Sequence, residues 1–132
     1  MNIKISKEDS LFSKLIRERD GKCVFCGKVT GRLQNSHFWG RGNKATRFHP
    51  LNCDLLCFLC HVQNEANKQG FYREWKIRQL GTKKCATLQF WANAGVSCGR
   101  YEKDLIYKRL KSHGLSGLEG FLKKLWPTDL KK

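Results

Sequence analysis

Two Cys-x-x-Cys pairs, Cys23-Val-Phe-Cys26 and Cys57-Phe-Leu-Cys60, constrain this chain more than any other feature. Four soft thiolates on two short turns form the tetrahedral set that a structural Zn²⁺ takes. A closed set of four leaves no position for a substrate, so such an ion would fasten segments together rather than take part in chemistry. The same residues also allow a plainer reading, four unligated buried thiols. Seven cysteines in all, an odd number, argue against a dispersed disulfide framework and for a reducing compartment. Cys53, Cys85 and Cys98 have no partner at ligand spacing and read as small core residues.

Local patterns place these turns among helices. Ser6 and Asp9 can form a capping box, Leu11, Phe12, Leu15 and Ile16 share a helical face, and Gly21 ends the helix. From Arg32 to Trp39 alternation predicts a short strand with Leu33, Asn35, His37 and Trp39 on one face. A basic, Gly-rich loop follows over 40–47, and Phe48 to Leu51 is expected to return as a second short strand. Asn52 to Cys57 then leads into a helix from about Phe58 to Lys68, stopped by Gly70. Beyond it, 71–80, 82–94, 100–112 and 118–126 each read as helices separated by glycines, and Asp129 to Lys132 as a loose basic tail.

Lys and Arg number 26 against 11 Asp and Glu, a formal charge of +15. An excess of this size is stabilised by a polyanionic partner, and nucleic acid is the simplest one. The start of the chain is polar and mixed, and no stretch approaches the roughly 20 apolar residues of a membrane helix. The expectation is a cytoplasmic protein with no membrane partner.

Ser36-His37 on the strand, Asn52, and Cys57-x-x-Cys60-His61 fall in one order along the chain. Together they resemble the HNH, or ββα-metal, nucleases that carry an extra zinc, including NinG-like phage recombination proteins. The resemblance covers about Cys23 to Asn67 and extends loosely to Trp75 and Leu80, where Tyr72-Arg-Glu-Trp-Lys76 is similar to the segment that follows the motif. It implies a DNA endonuclease. Hydrolysis of a phosphodiester needs a base for water and a cation for the leaving oxygen. His37, substantially neutral near pH 7, would be the base. His61, positioned by the zinc turn before it, would hold a catalytic divalent metal, Mg²⁺ or Mn²⁺, and face His37 across a gap. Asn52 would bond backbone across the loop and so orient His37.

One position departs from the family. Many HNH nucleases carry Asp directly before the catalytic His, where this chain has Ser36, a poor ligand when neutral. A further ligand could be Ser36 itself, His49, Glu65 one turn beyond His61, or phosphate and water oxygens. Otherwise His49 and His113 read as ordinary core or surface residues. Arg41, Lys44 and Arg47 on the basic loop are candidates for DNA binding, the arginines as bidentate phosphate clamps, although loop arginines are commonly just solvated.

These readings give an α+β, mostly helical fold. A small zinc-stabilised ββα-metal core over 1–70 would carry a helical extension over 71–132 packed on it. The Lys and Arg of the extension, such as Lys83, Lys84, Lys108, Lys111 and Lys124, would face outward toward phosphates. The expected function is a metal-dependent DNA endonuclease in phage recombination or repair, acting on branched or single-stranded DNA and compatible with a homodimer. The alternative is a non-catalytic zinc-containing DNA-binding accessory protein.

Overall fold

A computed structural model describes residues 5–40, 42–66, 72–94 and 98–125. Helix α1, Lys7–Asp20, begins where the capping signal puts it. Ser6 is extended at the N-cap, its Oγ accepts the Asp9 N–H at 3.3 Å, and the Asp9 carboxylate accepts the Ser6 N–H at 3.0 Å. Gly21, at φ 70°, takes the left-handed conformation that ends the helix and returns its N–H to the Arg17 carbonyl. Phe12 and Ile16 are fully buried, with Leu11 and Leu15 packed beside them.

The sheet has two antiparallel strands, β1 (Leu33–His37) and β2 (Cys53–Cys57), with Leu33 opposite Cys57 and His37 opposite Cys53. This corrects the sequence reading on one point. Phe48 to Leu51 is a turn leading into a single 3₁₀ turn, Pro50–Asn52, and the returning strand is the segment expected to lead into the helix. All five residues of β2 are buried. A strand covered on both faces loses the polar–apolar alternation by which β1 was recognised. Pro50, without an N–H, begins the 3₁₀ turn, and His49 Nδ1 accepts the Leu51 N–H at 3.2 Å.

The end of α1 and the first cysteine turn cover the edge of β2. Arg19 donates to the carbonyls of Pro50 (2.9 Å) and Cys53 (2.7 Å), and the Leu55 N–H donates to Asp20 Oδ2 (2.9 Å). The Val24 N–H then donates to the Leu55 carbonyl at 3.0 Å. Ladder groups that would otherwise invite another strand are thereby satisfied.

Helix α2, Phe58–Ala66, follows β2 without a break. Then come α3 (Arg73–Leu80), α4 (Thr82–Ala92), α5 (Arg100–His113) and α6 (Leu118–Leu125). These match the four C-terminal helices read from the sequence to within a few residues at each end. One buried cluster unites Phe12 and Ile16 of α1, Phe48, Cys53 of β2, Trp91 of α4, Ile106 and Leu110 of α5, and Leu118 and Leu122 of α6. The two parts expected to meet near residue 70 therefore share a single core, with α5 lying against α1. A smaller cluster, Cys23, Leu56 and Cys57, gathers Val24, Phe25, Leu33 and Cys60 around it. Among the described residues no helix is long and apolar enough to cross a membrane.

Candidate functional site

The two cysteine turns converge. One is the loop after α1, where the Cys23 N–H donates to the Lys28 carbonyl and the Gly27 N–H to the Cys23 carbonyl, both at 2.9 Å. The other spans the end of β2 and the first turn of α2. The four Sγ atoms lie within 4.8 Å of one another, and Cys26 Sγ is 3.7 Å from Cys57 Sγ. A tetrahedral ZnS₄ centre with Zn–S bonds of about 2.3 Å has sulfur–sulfur edges of about 3.8 Å, so these residues fit the ion. Burial pushes the Cys23 thiol up, but backbone N–H groups of Cys26, Cys57 and Phe25 prevail and bring it down to about 7. Burial and the neighbouring sulfurs push the Cys60 thiol up. Four thiolates this close repel one another, and a divalent cation is what makes their common ionisation favourable.

His37 ends β1, half-buried, its ring 6.4 Å from that of Phe12. Its Nε2 lies 3.0 Å from the Arg47 carbonyl. A carbonyl only accepts, so Nε2–H donates, and the neutral ring carries its basic lone pair on Nδ1. The loop supplying that carbonyl is held by Asn52, which is fully buried. Its Oδ1 accepts the Trp39 N–H at 2.8 Å, and its Nδ2 donates to the carbonyls of Trp39 (3.0 Å) and Thr46 (3.1 Å). Asn43 Nδ2 bonds the Ala92 carbonyl at 2.6 Å and so ties the loop to α4. Asn52 thus bridges backbone on both sides of the loop.

His61 follows Cys60 on the first turn of α2, and its Nδ1 meets Gln34 Oε1 of β1 at 2.5 Å. With the amide oxygen accepting, the lone pair of the neutral ring is on Nε2, the nitrogen a metal would use. Side chains alternate along a strand, so Gln34 and Ser36 share one face of β1 and His37 takes the other. The two imidazoles therefore address β1 from opposite faces, where the sequence reading had them facing each other. The zinc turn sets α2 against the Gln34 face, and the odd spacing from Gln34 to His37 does the rest.

Ser36 is fully buried, and its Oγ has no hydrogen-bond partner among the described residues. Directly across the ladder is Asp54. Its Oδ2 accepts from the Tyr72 hydroxyl at 3.0 Å and from Lys76 Nζ at 2.7 Å, and all three side chains are buried. Burial and the Asp54 carboxylate push the Tyr72 hydroxyl up, keeping it a donor. The sequence reading missed this trio. The one signal it offered was an acid set among apolar residues, Cys53-Asp-Leu-Leu-Cys57.

Arg47 is buried, with Nε on Asp9 Oδ1 at 2.9 Å and Nη2 on Asp9 Oδ2 at 2.5 Å, so its fork grips a carboxylate inside the fold and not a phosphate outside it. Lys44 is exposed. Arg41 and the side chain of Glu65 lie outside the described residues. His49 is 1% exposed and packs edge-on against Trp91, with ring centroids 5.5 Å apart. Burial, then the charges of Lys123 and Lys76, take its pKa down to about 4. Together with its bond to the Leu51 N–H, this makes His49 a neutral core residue and not a further metal ligand. Among the described residues the four cysteines are the only group of three or more Cys, His, Asp or Glu close enough to hold an ion.

Comparisons with protein-family models, with curated proteins and with solved structures find no match.

Proposed function

We propose that this chain is a metal-dependent DNA endonuclease of the HNH type. The observation that carries the reading is the bond between His37 Nε2 and the Arg47 carbonyl, in a loop clamped by Asn52, which fixes the ring and suits Nδ1 to act as a base. The order of β1, β2 and α2, with zinc thiolates at the junction of the last two, supports it further. So does His61, whose Nδ1–H is occupied by an amide oxygen. Among the described residues the outer edge of β1 has no strand beside it. A phosphodiester lying along that edge is approached by His37 from the α1 face and by His61 from the α2 face. His37 Nδ1 takes a proton from the attacking water. His61 would hold a divalent cation, which would supply charge stabilisation for the leaving alkoxide. The exposed Lys44 and the cationic helices hold the DNA through its phosphates.

The test is nicking of supercoiled plasmid in Mg²⁺ or Mn²⁺. His37→Ala should slow cleavage by about 10²–10⁴-fold while leaving DNA affinity unchanged. Unaltered cleavage by the variant would overturn the assignment of His37. A second reading, a non-catalytic zinc-containing DNA-binding protein, is favoured by the neutral, buried Ser36 at the position where HNH nucleases carry an acid. Binding without metal-dependent nicking by the unaltered chain would select it.

A further inference from the structure

Between α3, α4 and the residues that follow β1 lies a cavity of about 220 Å³. Phe38, Trp39, Ile77 and Leu88 give it aromatic and aliphatic walls, and Arg73 and Gln89, both exposed, bring polar groups to it. We propose that this cavity receives an unpaired nucleobase of the DNA strand. The inference rests on the DNA-binding part of the reading above and deepens it by naming the form of DNA preferred.

Size, lining and rigidity point the same way. The volume lies below the roughly 300–1,000 Å³ of drug-sized ligand pockets and suits one planar ring system. Bases stack on aromatic side chains irrespective of sequence, because every base has a π-face. The Gln89 amide offers both a donor and an acceptor to a base edge. The aromatic wall is held before any ligand arrives. Trp39 is fixed through both its N–H and its carbonyl by Asn52. Phe38 packs edge-on against Tyr72, centroids 5.0 Å apart, and the Tyr72 hydroxyl is anchored on Asp54. Such a wall loses little freedom on binding.

Charge is complementary as well. No acidic side chain lines the cavity among the described residues, and the Lys76 charge is neutralised by Asp54. Arg73 at the lining brings positive charge to the cavity mouth, where an anionic backbone would run. An intact duplex has no unpaired base to offer, and flaps, junctions and single strands do.

The experiment compares binding of the full zinc-loaded chain to a short oligothymidylate and to an abasic strand of equal length and charge, without added Mg²⁺ or Mn²⁺. The oligothymidylate should bind about five- to 150-fold more tightly. Trp39→Ala, which removes the stacking face, and Ile77→Phe, which fills the cavity, should each erase that preference while keeping the salt-dependent affinity for both strands; circular dichroism verifies that each folds. Equal affinity of the unaltered chain for the two strands overturns the proposal and leaves DNA binding standing. A preference that persists in either folded variant overturns it also, by placing the base elsewhere. Absence of binding to either strand removes this inference and the nuclease reading together.

Discussion

Arg47 and Asp9 meet through two hydrogen bonds in a nearly closed pocket, with side chains 9% and 6% exposed. Burial alone would raise the Asp9 carboxyl. The Arg47 guanidinium, with the backbone and side chain of Ser6, outweighs it and holds the carboxyl below its ordinary 3.8. A depressed carboxyl stabilises the fold above its unfolded value, and that contribution disappears as pH falls through the lower, folded one. Arg47→Met should therefore cost about 3–5 kcal/mol in denaturant unfolding at pH 7, because it strands a buried carboxylate. Repeated at acid pH, where Asp9 takes up a proton, the same comparison should show a smaller loss. An equal loss at both pH values would mean that the packing of the Arg47 stem matters and the ion pair does not.

The positions of His37 at the end of β1 and of Asn52 bridging backbone across the loop were legible because both stand at recognisable places relative to the cysteine turns. The role of Arg47 was not. In a loop with several cations no local pattern tells which one turns inward, and its partner Asp9 was already accounted for as a helix cap. Asp9 does both, with Oδ2 on the Ser6 N–H and both oxygens on Arg47. His49 was read both as an ordinary residue and as a spare ligand. Its burial against Trp91, far along the chain, and its bond to the Leu51 N–H decide between them.

At the scale of elements, the cysteine turns carry the hairpin. Cys57 is at once the last residue of β2 and a member of the sulfur cluster, and the neighbouring apolar cluster is small. Removal of the ion by a zinc chelator, or Cys57→Ser, should unfold the chain, since a structural zinc site contributes folding energy outright. Far-ultraviolet circular dichroism and thermal melting check this; an unchanged helical signal and melting midpoint would count against it. Element boundaries were readable wherever glycine marks them, as at Gly21, Gly81 and Gly114. β1 was readable from its alternation. β2 was not, because its solvent-like face is covered by Tyr72 and Lys76, and its one charged residue is neutralised inside the fold.

For the whole molecule the dominant fact is charge. Of the 26 cations some are internal, Arg47 and Lys76 among them, but Lys44, Lys83, Lys84, Lys108, Lys111, Lys123 and Lys124 are exposed. If DNA is the partner, six to ten phosphate contacts would weaken binding by about 10³–10⁵-fold between 50 and 200 mM salt. Fluorescence anisotropy over that range measures it, and a flat response would assign the charge to something other than a phosphate backbone. That the C-terminal helices pack on the N-terminal part was expected, but which helices touch was hidden from the sequence because they are far apart in the chain. Arg100 at the start of α5, for instance, reaches Glu8 at the start of α1.

The strand β2 is only five residues long, yet Cys53 at its beginning is packed in the large helical core and Cys57 at its end belongs to the sulfur cluster. Neither neighbourhood can loosen without dragging the other along. If the four sulfurs hold a zinc ion, metal supply becomes a condition for the molecule existing as a folded body at all, and a cell short of zinc would lose the entire protein rather than receive one with a single disabled centre.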